Sequence, residues 1–395
     1  MIKKMKSFAI VLVCYKRLSG IKLLLDSLER ADYAGRKDIT LIFSIDNSGD
    51  QTVENFAKEY CWTNGNKIVR TFQSRQGLKK HILQCGDYTE QYDIVTILED
   101  DIVVSDSFYQ YAYQAAEYYW EDDNIAGISL YNFQKNWLRW ILRFEPMKGN
   151  YDTYFIKVAQ SWGQVWIKNK WDPFKEWLCE NSAFEKSHKL PAYLNNWPET
   201  SWLKFHDKYC IECNKYFVYP YYSLSSNTSE VGEHANISSC DYQTELQFEK
   251  DKFVFQPFSN KSVRYDEYFE REGLEEYLGL SKEEVFIDLY GTRKIDTSRE
   301  YILSTNRLKS IKPIKSFRLF LRPIEASIIY DISGEGIYLY RTHDYISSAK
   351  GIVPHELMKY EMRTMDWRQL LKFSIELLWN DIQSRIRSIL KKNGI

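Results

Sequence analysis

A doubly wound, mostly parallel α/β sheet is the fold class that the sequence predicts, and three observations predict it. Apolar runs rich in β-branched residues recur at residues 8–14, 39–45, 94–98 and 125–131. They are too short for buried helices and read as interior strands. Helical patterns separate them at short intervals, as strand–helix–strand crossovers in one sheet require. The runs also end on polar or charged residues, and a parallel sheet gathers such ends along one edge, where open α/β sheets bind their ligands.

In chain order, residues 8–14 form the first strand, and Ser19 is expected to cap a helix in which Ile21, Leu24, Leu25 and Leu28 recur at helical spacing. Residues 39–45 form a second strand ending on Asp46. A helix over 53–60, a short strand near 68–72 and a helix over 77–85 then lead to the stretch that organises the chain, Tyr92 to Val103. An aromatic helix starting at Ser105 and a strand over 125–131 complete a donor half of about residues 1–135.

The central stretch ends in Glu99, Asp100 and Asp101. Three adjacent carboxylates at a strand end repel one another and lose hydration, so a cation must offset them if they share a pocket. A divalent metal is the simplest candidate, and all-oxygen ligation selects Mg²⁺, Mn²⁺ or Ca²⁺ over zinc. Neither a G-x-G-x-x-G after the first strand nor a Gly-rich loop ending in Gly-Lys-Ser/Thr occurs, which argues against dinucleotide oxidoreductases and P-loop ATPases.

The 395 residues suffice for two domains, and a net charge of −1 predicts no general affinity for nucleic acid. Thirty Tyr and 12 Trp suit a carbohydrate-handling surface as well as a large core. Seven scattered Cys argue for a reducing compartment, and the lone Cys210-Ile211-Glu212-Cys213 pair for neither zinc nor redox chemistry. Lys3, Lys4 and Lys6 precede an apolar run, yet Tyr15-Lys16-Arg17 follows at once without a cleavage site. A cytoplasmic protein, peripheral on a membrane at most, is therefore expected.

An acceptor half is expected over about 136–250, in aromatic loops around Trp162-Gly163, Trp197 to Trp202 and residues 218–234. His188, His206 and Asp207 read as ordinary surface or core residues, whereas His234, in a Gly-containing loop, is a candidate metal or phosphate contact. Residues 251–395 read as an α+β extension. Within it, residues 306–323 carry six Lys or Arg and no acid, and residues 366–392 form a basic amphipathic helix that either docks on the core or lies on an anionic membrane.

Three of these features together resemble nucleotide-sugar glycosyltransferases of the GT-A fold, and are similar to the N-acetylglucosaminyltransferase I type and to bacterial surface-polysaccharide enzymes. They are Val13-Cys14-Tyr15-Lys16-Arg17, Ser44-Ile45-Asp46, and Leu98-Glu99-Asp100-Asp101-Ile102 leading to Phe108. The resemblance covers about residues 7–240. It implies that Arg17 and Asp46 contact the nucleotide base, Glu99 and Asp100 the nucleoside and sugar region, and Asp101 a Mn²⁺ or Mg²⁺ ion, with Asn132 near the donor and Trp162-Gly163 in the acceptor loop. Where the family carries Trp-Asp-Asp-Trp with its catalytic Asp, this chain has Trp197-Pro198-Glu199-Thr200-Ser201-Trp202. Its Ser-Arg-Thr segment is replaced near Ser225-Ser226-Asn227, while the later His is kept as His234.

The expected reaction is metal-dependent, inverting transfer from a nucleotide diphosphate sugar, UDP-linked in first preference, to an oligosaccharide acceptor that is lipid-linked and built into bacterial surface polysaccharide. Glu199, between two Trp rings, is the expected base, with Glu230, Glu233 and Asp207 as the alternatives. The competing readings are a sugar-phosphate nucleotidyltransferase and a non-catalytic binding protein of the same fold.

Overall fold

The computed structural model describes residues 5–139, 142–187, 190–229, 239–309, 311–347, 352–353 and 356–392. A nine-stranded sheet forms its centre, built from β1 (Phe8–Cys14), β2 (Thr40–Ile45), β3 (Lys67–Thr71), β4 (Ile94–Glu99), β6 (Ile125–Ser129), β7 (Thr153–Ile156), β8 (Gln164–Ile167), β9 (Tyr216–Pro220) and β11 (Arg264–Tyr265). The strand order is β11-β7-β9-β6-β8-β4-β1-β2-β3. A short ribbon of β5 (Ile102–Val104) and β10 (Ser225–Asn227) stands beside it.

The donor-half strands pair in parallel as expected: β1 lies between β2 and β4, in a register that sets Cys14 beside Ile45 and Val13 beside Glu99. This places the ends of all three strands on one edge. β1 is buried on both faces, which is why its sequence shows no alternation. The departure comes at β8, which runs antiparallel between β4 and β6. It puts Trp166 opposite Val95, and Trp166 stacks on Trp171 with ring centroids 4.2 Å apart.

The helices are α1 (Leu18–Glu29), α2 (Thr52–Glu59), α3 (Leu78–Gly86), α4 (Phe108–Tyr118), α5 (Lys168–Glu180), α6 (Ala192–Asn196) and α7 (Leu203–Glu212). Ser19 does not cap α1. The helix begins one residue earlier, and the Arg17 carbonyl accepts the Ile21 N–H at 3.1 Å. Two large apolar clusters cover the faces of the sheet, one around Leu12, Phe43 and Phe108, the other around Trp166, Phe174 and Phe217.

Past residue 250, Phe253 and Phe258 pack against the first cluster and β11 joins the central sheet. A second sheet follows, with strands Val285–Asp288, Tyr301–Ser304, Gly336–Arg341 and Lys315–Arg318 in that order. The second apolar cluster continues into it through Leu289, Leu303 and Ile337. The last helix spans Trp367–Lys392. Docking on the core is not its arrangement, because Trp367, Leu371, Leu378 and Trp379 are exposed. No described helix is long and apolar enough to cross a membrane.

Candidate functional site

The carboxyl edge of β1, β2 and β4 brings Arg17, Asp46 and the Glu99 to Asp101 turn together. Arg17, which the resemblance assigns to the nucleotide base, has its guanidinium on the acids themselves and supplies part of the positive charge they call for. Nε donates to Asp100 Oδ1 at 2.8 Å, and a second nitrogen bonds that oxygen and sits 3.0 Å from Asp101 Oδ2. The reason is topological: the two strand ends are neighbours, and a guanidinium is the best-shaped cation for two carboxylates.

One Arg does not neutralise three acids. Burial and the Asp101 and Asp100 charges push the Glu99 carboxyl well above the usual range, against the pull of Arg17. Burial raises Asp100 too, with Arg17 opposing it. Both Glu99 Oε1 and Asp101 Oδ1 are buried with no hydrogen-bond partner among the described residues. A buried carboxylate oxygen without a donor is costly, so this turn is built to receive something positive or proton-bearing. Among the described residues no group of three or more His, Cys, Asp and Glu side chains is placed to hold a metal by itself. The described donor set fits a hard ion that takes few ligands from the protein and fills its shell with phosphate and water.

Backbone packing holds the turn in place. A Cβ on Gly20 in α1 would lie 2.1 Å from the Asp100 carbonyl oxygen, so only glycine lets α1 approach this closely. Across the turn, the Thr228 N–H donates to the Asp101 carbonyl at 2.8 Å, just after Asn227 of β10 pairs with Ile102 of β5. Ser239 N–H bonds the Ser229 carbonyl at 3.1 Å, so both flanks of residues 230–238 meet beside Asp101. His234, Glu230 and Glu233 lie outside the described residues.

Asp46 is buried, and its carboxylate is occupied by main chain. Oδ1 accepts the N–H groups of Asn47 (2.8 Å) and Gln76 (2.7 Å), and Oδ2 that of Gly77 (2.9 Å). It thus clamps the loop that starts α3 onto the end of β2, beside the Arg75 guanidinium stacked over Tyr15 at 5.1 Å. Ser44, two residues before, faces inward to His81 at 2.7 Å.

Asn132 is an internal strut: its amide donates to the Tyr221 carbonyl (2.9 Å) and accepts from the Tyr154 hydroxyl (2.8 Å). Trp162 is half-buried against Tyr131 and Tyr242, each with ring centroids 4.7 Å away. Gly163 holds the turn after it at φ +101, and a Cβ there would crowd Ser225 Oγ at 3.0 Å.

Glu199 does not sit between two open Trp rings. Trp202 is buried with Trp166 and His206 around it, while Trp197 is half-buried with its ring edge-on to Trp137 at 5.4 Å. The Glu199 side chain is 65% exposed and its Oε1 lies 3.0 Å from Nζ of Lys204, which is wholly buried. Lys79 Nζ, in the first turn of α3, reaches the Glu199 carbonyl at 3.4 Å, which ties this segment to the same edge. Asp207 is a core acid, as its sequence context suggested. It accepts the Ala159 N–H (2.6 Å) and the Tyr193 hydroxyl (3.1 Å), and burial holds its pKa well above the usual range. His188 lies outside the described residues.

Residues 9–168, from the second residue of β1 to the first of α5, match the family described as Glycosyl transferase family 2. No curated protein matches the chain by sequence. Among solved structures, TarS 1-349 of S. aureus in complex with UDP-GlcNAc is 13% identical with a TM-score of 0.35, covering 58% of this chain and 60% of that one. The mannosyltransferase PcManGT of Pyrobaculum calidifontis, in complex with GDP-Man and Mn²⁺, is 14% identical with a TM-score of 0.29, over 46% of this chain and 48% of that. GalNAc-T7 with UDP, GalNAc and Mn²⁺ is 12% identical with a TM-score of 0.37, over 56% and 43%. The chain thus spans less than two thirds of each, and 21% of the longer S. aureus TarS structure.

Proposed function

We propose, from the premise that residues 9–168 form a glycosyl transferase family 2 domain and that the chain is a nucleotide-sugar glycosyltransferase of the GT-A type, that it catalyses inverting transfer from a UDP-sugar to an oligosaccharide acceptor in surface polysaccharide assembly. The observation that carries the reading is the pair of buried, unpartnered oxygens, Glu99 Oε1 and Asp101 Oδ1, at the carboxyl end of β4. A diphosphate brings negative charge to this edge, and the turn is already short of one cation beyond Arg17. Asp101 would hold Mn²⁺ or Mg²⁺ through that oxygen, with His234 as the further protein ligand. Bound there, the ion would neutralise charge developing on the departing diphosphate.

The chain's own residues orient the reactants. Asp46 fixes the loop through Gln76 and Gly77 that forms one wall for the nucleotide, next to Tyr15 and Arg75. Arg17 holds Asp100 and Asp101 turned toward it, its guanidinium lying within 3.0 Å of both. On the acceptor side Trp162 offers a ring face beside the Gly163 turn. Glu199 is the proposed base: Lys204 grips Oε1, leaving Oε2 to take the proton of the attacking hydroxyl.

The test is to incubate purified protein with a panel of UDP- and GDP-sugars, with Mn²⁺ and with excess EDTA. Slow release of the nucleoside diphosphate, lost in EDTA, is expected. Release of pyrophosphate from a nucleoside triphosphate and a sugar phosphate would mark a nucleotidyltransferase instead. Absence of both turnover and donor binding would leave a binding protein of the same fold.

A further inference from the structure

The helix Trp367–Lys392 is 26 residues long. Trp367, Leu371, Leu378, Trp379, Ile382 and Ile386 fall within one broad arc at helical spacing, each between 39% and 67% exposed, with Phe373 and Leu377 exposed outside it. A face this apolar left in water implies an occupant. The helix is anchored at its base, since the preceding helix Glu356–Met362 buries Leu357 and its Tyr360 hydroxyl donates to the Leu319 carbonyl at 2.8 Å. Arg322 pairs with Glu361 of that same helix. The base therefore sits on the stretch 306–323, whose six Lys and Arg have no acid among them.

From this we infer that the helix lies in the plane of an anionic lipid bilayer, apolar face down, independently of the donor chemistry. Charge is the first argument: residues 367–392 contain six Lys or Arg and two acids, a net charge of +4. Basic side chains flanking an apolar, Trp-bearing face match the boundary between anionic headgroups and acyl chains. The second argument excludes crossing, because no described helix is long and apolar enough. The third excludes a second copy as a coiled-coil partner. In the heptad that runs through Leu371, Ile375, Leu378 and Ile382, the next seam positions outward are Arg368 and Arg385. Ile386 and Trp379 fall outside that seam, so the apolar arc is too wide and too interrupted for a narrow a/d stripe.

The experiment uses the full chain with phosphatidylglycerol-rich and pure phosphatidylcholine vesicles, read by co-sedimentation at low and high salt. Binding to the anionic vesicles at low salt, reversed by high salt, is expected. Replacing Arg368 and Lys372 together by Gln should weaken it about 25-fold, near fivefold per charge. Leu371→Asp with Leu378→Asp should abolish it while leaving the urea midpoint of the folded domains unchanged. Full-length protein that stays in the supernatant with anionic vesicles at low salt overturns the inference. So does a Leu371→Asp, Leu378→Asp protein that binds like the wild type. A dimer in sedimentation equilibrium that this double variant dissociates would assign the face to a second copy instead.

Discussion

Two sets of acids in this molecule differ in one respect. On the acceptor side, Asp207 is fully engaged by the Ala159 N–H and the Tyr193 hydroxyl. At the end of β4, Glu99 and Asp101 each keep a buried oxygen without a donor among the described residues, though Arg17 stands beside them. Burial alone therefore does not mark a site. The first set has the satisfied hydrogen bonding of a structural core, and the second carries an unmet demand for positive charge that folding leaves in place. Glu199 lies between the two, exposed, yet acting as counter-ion to the wholly buried Lys204.

The sharpest way to break this contrast is Asp101→Asn. If Asp101 supplies charge to the leaving diphosphate, turnover should fall about 10³–10⁵-fold, since several kcal/mol of stabilisation disappear. The urea midpoint should hardly move, because Asp101 is not a closed structural contact. An equal loss of stability would return the turn to the structural class of Asp207.

Glu199→Gln comes next, with an expected fall in turnover of about 10²–10⁴-fold at little cost in donor affinity. The buried Lys204 complicates this variant, because removing its counter-ion alone could disturb the segment. Lys204→Met in the same background separates the two causes. Activity restored in the double variant would make Glu199 a counter-ion rather than a base.

A smaller effect is expected at Asp46. Asp46→Asn loses charge-assisted bonds to the Gln76 and Gly77 amides, at about 1–3 kcal/mol, and should raise the donor KM more than it lowers kcat. A change confined to kcat would detach Asp46 from the nucleotide wall.

How much of this was legible in the sequence follows the same division. β-branched runs define β1, β2 and β4 because strands buried on both faces leave no alternative for such residues, and the shared carboxyl edge follows from parallel pairing. The Arg17 contact with Asp100 and Asp101 spans more than 80 positions along the chain. Local pattern holds no trace of it, although an Arg three residues past a first strand and an acid turn after its neighbour could have suggested it. Gly20 was missed for the same reason, since its role is set by the approach of the Asp100 carbonyl. Trp202 and Trp197 look equivalent in sequence, and only the antiparallel insertion of β8, with Trp166 on it, decides that Trp202 is buried. The last helix was legible as an amphipathic element but not as an undocked one, because periodicity reports a face without naming what covers it.

The smallest predicted effect concerns His206, buried against Phe174 with ring centroids 4.2 Å apart and neither nitrogen hydrogen-bonded. Burial pushes its pKa down to about 3. The unfolded chain then takes up the proton first, so this group's effect is negligible above about pH 7 and destabilises the fold as pH drops from about 6.5 toward about 3. Glu99, Asp100 and Asp207, with raised pKa values, act in the opposite sense. The difference between wild type and His206→Phe isolates the histidine: the variant should gain about 1 kcal/mol or more at pH 5 relative to pH 7.5, read from urea midpoints. Parallel pH profiles would contradict it.

The most direct test of the central claim, that the end of β4 awaits the cation accompanying a nucleoside diphosphate, is calorimetric titration of UDP into the protein in Mn²⁺ and in excess EDTA, repeated with Asp101→Asn. The account predicts binding by the wild type in Mn²⁺ that is lost in EDTA and lost in the variant. UDP bound equally well in EDTA, or equally well by Asp101→Asn in Mn²⁺, would contradict it.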